Sequence, residues 1–371
     1  MKIKTVLVIA AFAICLILVI LTRQSTSGLF SIHNVDFFEY DTGWNGFKFV
    51  NIILSNDKDR LLLDTPDEPG YFESPSVETD FDFNELLLAW NCDIDNSGGL
   101  YFILSVSPDN ENWHDFAYQQ WGDITGDSLE LSAVSEKIDG VGRLETDVLK
   151  LDKPMKFYRF SSACFADDYG QFSMARISVC YSNTVASIRQ YHVNRLPAES
   201  ISRVALAVPY HSQHSLPDSI AEEGCSQTSV AMVMNYHGRN YSSLELSEYV
   251  YDSNNDIYGN WLYNVQAAYQ LGMKKTWVGR HNSFEEITAE LLDGKPVVIS
   301  IAFENGELKG APYTKTSGHL IVVRGFDGES KVIVNDPYGH DVSDGVNLYD
   351  IDELTAVWIE HGGAAYHIWP E

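Results

Sequence analysis

Between residues 30 and 183 the chain is a succession of short aliphatic and aromatic runs broken by polar turn clusters, and that spacing commits it to strands. The runs are 47–54, 85–90, 100–106, 157–160 and 172–180; the clearest breaks are Asp95-Asn-Ser-Gly-Gly99, 108–112 and 167–170. Many short strands joined by polar turns pack face to face, so an all-β sandwich is expected here. Residues 184–200 read as a linker, loosened at Leu196-Pro197-Ala198. From 201 to 371 the pattern turns mixed. Helix starts are expected near Ser226, at Ser243 behind the capping box Ser242-x-x-Glu245, near Asn260, and at Ser283 behind a second box, Ser283-x-x-Glu286. Strands are expected over 275–278, 296–303, 319–326 and 331–335, the last two forming a hairpin through Asp327-Gly328, with a final helix over 351–359.

The first residues differ again. Lys2 and Lys4 precede an unbroken apolar run, 6–21, and a polar stretch with Arg23, Ser25 and Ser27. Residues 1–27 therefore read as a signal peptide or a membrane anchor, which places the remainder outside the cell or on its surface. Elsewhere, 25 basic residues against 52 acidic ones give a formal charge of −27. Such a surface repels nucleic acid and anionic lipid. Of five cysteines, Cys15 lies in the leader; Cys92, Cys164 and Cys180 are an odd trio, read as small buried hydrophobes that form at most one disulfide.

Cys225 is the fifth. It opens an apolar helical pattern, Val230, Met232, Val233, Met234, which Gly238 closes. A thiol at a helix N-terminus meets unpaired backbone N–H groups and the positive end of the dipole, both of which favour the thiolate. Acyl transfer then needs a base, a group that orients it, and donors for an oxyanion. His319 heads the run Leu320-Ile-Val-Val323 and is the candidate base. Asp336 ends the partner strand of the same hairpin, at the same distance from the turn, and is the candidate orienter, expected to accept the Nδ1–H and aim Nε2 at Cys225. Gln213 is the oxyanion candidate. His211 and His214 flank it at a spacing that could suggest a metal, but no third ligand stands nearby, so no metal and no cofactor is expected. Trp90 and its aromatic neighbours are read as core.

These blocks resemble the bacteriocin-processing-type peptidase-like group, cysteine peptidase family thirty-nine of the papain superfamily. The resemblance is carried by Val208-Pro-Tyr-His-Ser-Gln213, Gly224-Cys-Ser-Gln-Thr-Ser-Val-Ala-Met-Val233, Gly318-His-Leu-Ile-Val-Val323 and Asn335-Asp-Pro337. It implies an α+β papain-like domain over 201–371, a peptide or protein substrate, Cys225 as nucleophile, His319 as base, Asp336 as orienter and Gln213 in the oxyanion hole. Two departures stand out. Gln227 replaces the usual proline, and the twelve-residue spacing from Gln213 to Cys225 requires the intervening loop to fold back. The sandwich resembles domains that precede such peptidases in secreted proteins, and a glycan or protein on the cell surface is its expected partner. The competing reading is an extracellular binding protein whose papain-like domain is catalytically silent.

Overall fold

The computed structural model describes residues 32–65, 68–94, 98–122, 135–166, 172–184, 203–304, 306–359 and 361–371. The apolar run 6–21 expected as a signal peptide or anchor, with Cys15, and nearly all of the expected linker lie outside these residues. Among those described, no helix is long and apolar enough to cross a membrane.

The N-terminal region is strand-rich and antiparallel throughout its main ladders. Two strands of 18 residues, Val77–Ile94 and Val148–Phe165, organise it. Val77–Ile94 pairs with Phe172–Asn183 on one side (Trp90 opposite Ile177) and with the first half of Val148–Phe165 on the other. The second half of Val148–Phe165 turns to pair with Gly99–Ser107 and Gly70–Glu73. One long strand thus serves two layers, and aromatic side chains fill the space between them: Trp90 lies 5.2 Å from Phe102, and Phe38 lies 5.1 Å from Phe160. Trp90 is core, as its neighbours indicated. Cys92, Cys164 and Cys180 are free and buried. The run 47–54, expected as one strand, is two, because Asn51 adopts φ 51° and breaks it into Lys48–Val50 and Ile52–Leu54. Asn tolerates the left-handed region better than other side-chain-bearing residues, and here its amide bonds the Thr65 and Glu68 carbonyls.

The C-terminal region places helices first and an antiparallel sheet after them. The sheet runs Lys275–Arg280, Ala364–Trp369, Val297–Phe303, Thr316–Phe326, Lys331–Asn335, Val346–Asp350, with Val204–Ala205 added against Thr316–Phe326. Alternate residues face opposite sides. Val298, Leu320, Val322 and Tyr366 join one apolar cluster with the helices Cys225–Tyr236, Ser243–Val250 and Trp261–Gln270. Val297, Ile299, Ile321 and Val323 join another with Glu285–Leu292 and Ile351–Ile359. Ser242 and Glu245 form the capping box. The second box does not form: Glu285–Leu292 has no side-chain cap, and the Glu286 carboxylate accepts from the Asn282 N–H and faces two histidines.

The two regions share a core. Residues 86–92 (Leu-Leu-Leu-Ala-Trp-Asn-Cys) are buried on both faces of their strand. A strand covered on both sides reads as a continuous apolar run, and the second cover is the helix Trp261–Gln270 together with Lys275–Arg280. At that contact a bulge between Met174 and Arg176 interrupts the ladder beside Cys92. Gln266 takes over the freed backbone, accepting from the Cys92 N–H (3.1 Å) and donating to its carbonyl (2.6 Å). Asn91 does the converse, donating to the Thr276 carbonyl (2.8 Å) and accepting from its N–H (3.2 Å). Arg280 reaches across to Glu85 at 2.5 Å.

Buried groups orphaned by truncation cost about 1–3 kcal/mol each. Asn91→Ala should therefore lower stability by about 2–4 kcal/mol, and the full chain should unfold in one transition that shifts as a unit. Denaturant melts followed by tryptophan fluorescence and by circular dichroism check both points; two transitions in the parent chain would contradict the shared core.

Candidate active site

Cys225 is the first residue of its helix, behind Gly224, which supplies no side-chain cap. The first N–H groups of a helix lack internal acceptors, so the half-buried thiol sits among free donors. A Cβ on Gly224 would come within 2.4 Å of Leu216 Cδ1. Glycine is needed there to let the preceding loop close against the helix.

His319 lies in Thr316–Phe326, three residues inside the strand rather than at its start. Its Nε2 is 2.8 Å from Asp336 Oδ1. The expected ring orientation is thereby reversed: Nε2 faces the carboxylate, and Nδ1 is left for the sulfur. The hairpin register also differs from the symmetric one. Val322 pairs with Asn335 and Phe326 with Val332, around a bulge and a turn closed by the Asp327 N–H on the Lys331 carbonyl. Asp336 falls opposite residue 321, and His319 reaches it diagonally along the same face, a separation long side chains span.

Asp336 is fully buried and has four donors. Oδ1 accepts from His319 and from the Tyr338 N–H (3.0 Å), Oδ2 from the hydroxyls of Tyr313 (2.9 Å) and Tyr349 (3.1 Å). Nothing in the local sequence marks Tyr313 or Tyr349. They come from a loop and from Val346–Asp350, and only the sheet brings them in. Burial alone would lower the His319 pKa, but the Asp336 charge and hydrogen bond overcome it and raise it to about 10. Burial would raise the Cys225 pKa; the hydrogen bond and charge of His319, with the Leu320 N–H, bring it below the ordinary thiol value. The two shifts favour a thiolate–imidazolium pair.

Gln213 is buried and begins a short 3-10 turn, Gln213–Ser215. The loop does fold back, through the short helix Asp218–Ala221, and Gln213 Nε2 donates to the Ala221 carbonyl at 2.8 Å beside Gly224. Its backbone N–H bonds the Pro337 carbonyl, and Tyr210 bonds the carbonyls of Asp336 and Gly339. The segment bearing the glutamine is stitched to the segment bearing the aspartate. His211 and His214 diverge, toward Asn235 and the Tyr338 carbonyl. Gln227 points away from the helix entrance, its Nε2 3.3 Å from Ser247 Oγ.

A cleft of about 940 Å³ opens over Cys225, and both regions line it. The C-terminal region contributes Glu222, Glu223, Trp261, Gly318 and Leu320; the strand-rich region contributes Glu85, Glu145, Asp147 and Lys150. Glu85 is neutralised by Arg280 and Glu145 by Lys150 (2.7 Å). Asp147 accepts from the Trp261 N–H at 2.8 Å, and burial pushes its pKa up to about 7. These wall residues carry no sequence signal.

Residues 205–366 match the model of the Peptidase_C39 like family. The C-terminal region is a C39-like peptidase domain. Similar solved structures include a C39-like peptidase from Bacillus anthracis (21% identity, covering 45% of this chain and 97% of that one, TM-score 0.35). A double glycine motif protease from an AMS/PCAT transporter, in complex with its leader peptide, is 18% identical over 46% of this chain and 97% of that chain, TM-score 0.32. The peptidase domain of Streptococcus ComA is 21% identical over 40% and 93%, TM-score 0.29. No curated protein matches the chain.

The C39-like domain's ion pair has a pH signature. Thiolate is present above the lowered thiol pKa, and imidazolium persists up to the raised imidazole pKa. Alkylation of Cys225 should therefore begin below the pH at which free cysteine reacts. Asp336→Asn removes the charge that raises His319, so the acid limb of alkylation should move up and the alkaline limb of turnover should move down. Activity should fall on the order of tenfold to ten-thousandfold. Superimposable profiles for parent and variant would remove Asp336 from the site.

Proposed function

We propose that the chain is an exported or membrane-anchored cysteine peptidase acting through Cys225, His319, Asp336 and Gln213. The observation that carries this reading is the half-exposed thiol at a helix N-terminus, on the floor of a cleft, beside an imidazole held by a four-donor carboxylate. The Cys225 thiolate attacks the peptide carbonyl carbon, and the oxyanion forms against the Cys225 N–H and the second N–H of Gln213 Nε2, the first being given to Ala221. The His319 imidazolium then passes its proton to the leaving amine as the C–N bond breaks. Water, giving a proton to His319, attacks the thioester and releases the carboxylic product and the thiol. Export rests on Lys2, Lys4 and the apolar run 6–21.

Cys225→Ala should abolish peptide hydrolysis, and His319→Ala should abolish both turnover and rapid alkylation at neutral pH. A Cys225→Ala chain with full activity would defeat the proposal. If Cys225 reacts with iodoacetamide no faster than free cysteine, the silent binding protein becomes the better account.

The cleft also bears on substrate class. Once the carboxylates held in ion pairs by Arg280 and Lys150 are set aside, Asp147, Glu222 and Glu223 remain as further acidic wall residues, so carboxylates outnumber the basic side chains Lys150 and Arg280 among the described residues of the wall. Peptides with Lys or Arg near the scissile bond should be cleaved with kcat/KM roughly tenfold above their Glu counterparts. The preference should shrink with added salt and grow as the pH rises through 7, where Asp147 ionises. A positional peptide library read at two salt concentrations checks it.

A further inference from the structure

Where the first described strand meets the C39-like domain, two histidines converge on one carboxylate oxygen. His33, in Ile32–Glu39, puts Nε2 3.2 Å from Glu286 Oε2, and His281 puts Nδ1 3.1 Å from the same atom. All three ligand atoms lie within 4.8 Å of one another. Behind them, His281 Nε2 faces His367 Nε2 at 3.0 Å, and His367 Nδ1 faces Glu290 at 2.8 Å. Trp369 donates to the same glutamate.

Hydrogen-bond accounting makes this chain unusual. The contacts Glu286–His281, His281–His367 and His367–Glu290 each require one proton, whereas two neutral imidazoles carry two between them. If Nδ1–H of His367 serves Glu290 and Nε2–H of His281 serves His367, the His281 Nδ1 lone pair is left pointing at a carboxylate. A cation between them removes that conflict. The spacing suits one: ligands about 2.0–2.1 Å from a tetrahedral zinc ion lie about 3.3 Å apart. His33 is placed to complete the set, since its Nδ1 faces the Asn282 carboxamide at 3.4 Å. With its oxygen turned toward Nδ1, that amide accepts the Nδ1–H and frees Nε2. The other Glu286 oxygen is held by the Asn282 N–H at 3.0 Å. The outer His367, itself held by Glu290, accepts the Nε2–H of His281 and so takes the place of the carboxylate or carbonyl that usually stands behind a metal-bound imidazole.

We infer that His33, His281 and Glu286 form a binding site for a divalent transition-metal ion of zinc type, which staples the first strand of the N-terminal region to the C39-like domain. Imidazole and carboxylate donors suit zinc over calcium or magnesium. The three ligands leave one position for water. None belongs to the proposed nucleophile, base or oxyanion set. This inference therefore stands or falls independently of the peptidase reading.

The test uses the full chain carrying Cys225→Ala, so that the active-site thiolate cannot take up metal, after chelator treatment. Titration with zinc chloride by calorimetry should show one equivalent bound, and the melting temperature should rise with zinc and fall back with EDTA. Glu286→Gln and His33→Ala, both partly exposed sites, should each abolish stoichiometric binding. Glu290→Gln should weaken it about 10–100-fold, whereas His214→Ala should leave it intact. Each substituted chain should keep the parent's circular-dichroism spectrum and a cooperative unfolding transition without metal, which reports a folded protein. No bound equivalent in the Cys225→Ala chain, or binding that survives both Glu286→Gln and His33→Ala, would overturn the site and leave the cluster as a proton-bridged chain alone.

Discussion

A strand with no polar face can exist only between two apolar layers. Residues 86–92 are such a strand, and the constraint propagates through the molecule. Its inner face takes Phe102 and the rest of the aromatic filling. Its outer face needs a second cover, which the helix Trp261–Gln270 supplies from the C39-like domain. The amides of Gln266 and Asn91 then take over backbone groups that a bulge and a domain boundary would otherwise leave unpaired. Desolvating those groups without partners would oppose the hydrophobic gain, so the contact is specific as well as apolar. Once the two regions are joined, Glu85, Asp147 and Lys150 become walls of the cleft over Cys225, and His33 comes within reach of Glu286.

The site depends on a second constraint. A buried carboxylate is costly unless its lone pairs are filled. Asp336 fills them with His319, the Tyr338 N–H and two tyrosine hydroxyls, which also hold the carboxylate in one orientation. The same charge keeps His319 protonated despite burial, and protonated His319 draws the Cys225 pKa down. The lowered Cys225 pKa therefore rests in part on tyrosines far from it in sequence.

Sequence and structure diverge where long-range packing decides the geometry. Two strand runs with a glycine turn announced the hairpin. The bulge between Val323 and Gly325 and the longer turn set its register, so that His319 and Asp336 meet along a diagonal with the ring reversed. Ser283 and Glu286 have the spacing of a capping box, as Ser242 and Glu245 do. Only Ser242 and Glu245 form one, because Glu286 instead faces the nearby His281 and, from the far end of the chain, His33. The run 47–54 has the composition of one strand, and a left-handed Asn51 divides it.

What the sequence alone determined was local: period-two runs for the strand-rich region, capped helices followed by a sheet, a cysteine at a helix start, and the order of Gln213, Cys225, His319 and Asp336. These follow from short-range sterics, capping and burial pattern, which act over a few residues. What only the tertiary structure decided was which polar groups share a buried space: Tyr313 and Tyr349 on Asp336, Gln266 on Cys92, the acidic walls over the thiol, and His33 beside His281. Such pairings depend on which surfaces must leave water together, and no stretch of sequence carries that information by itself.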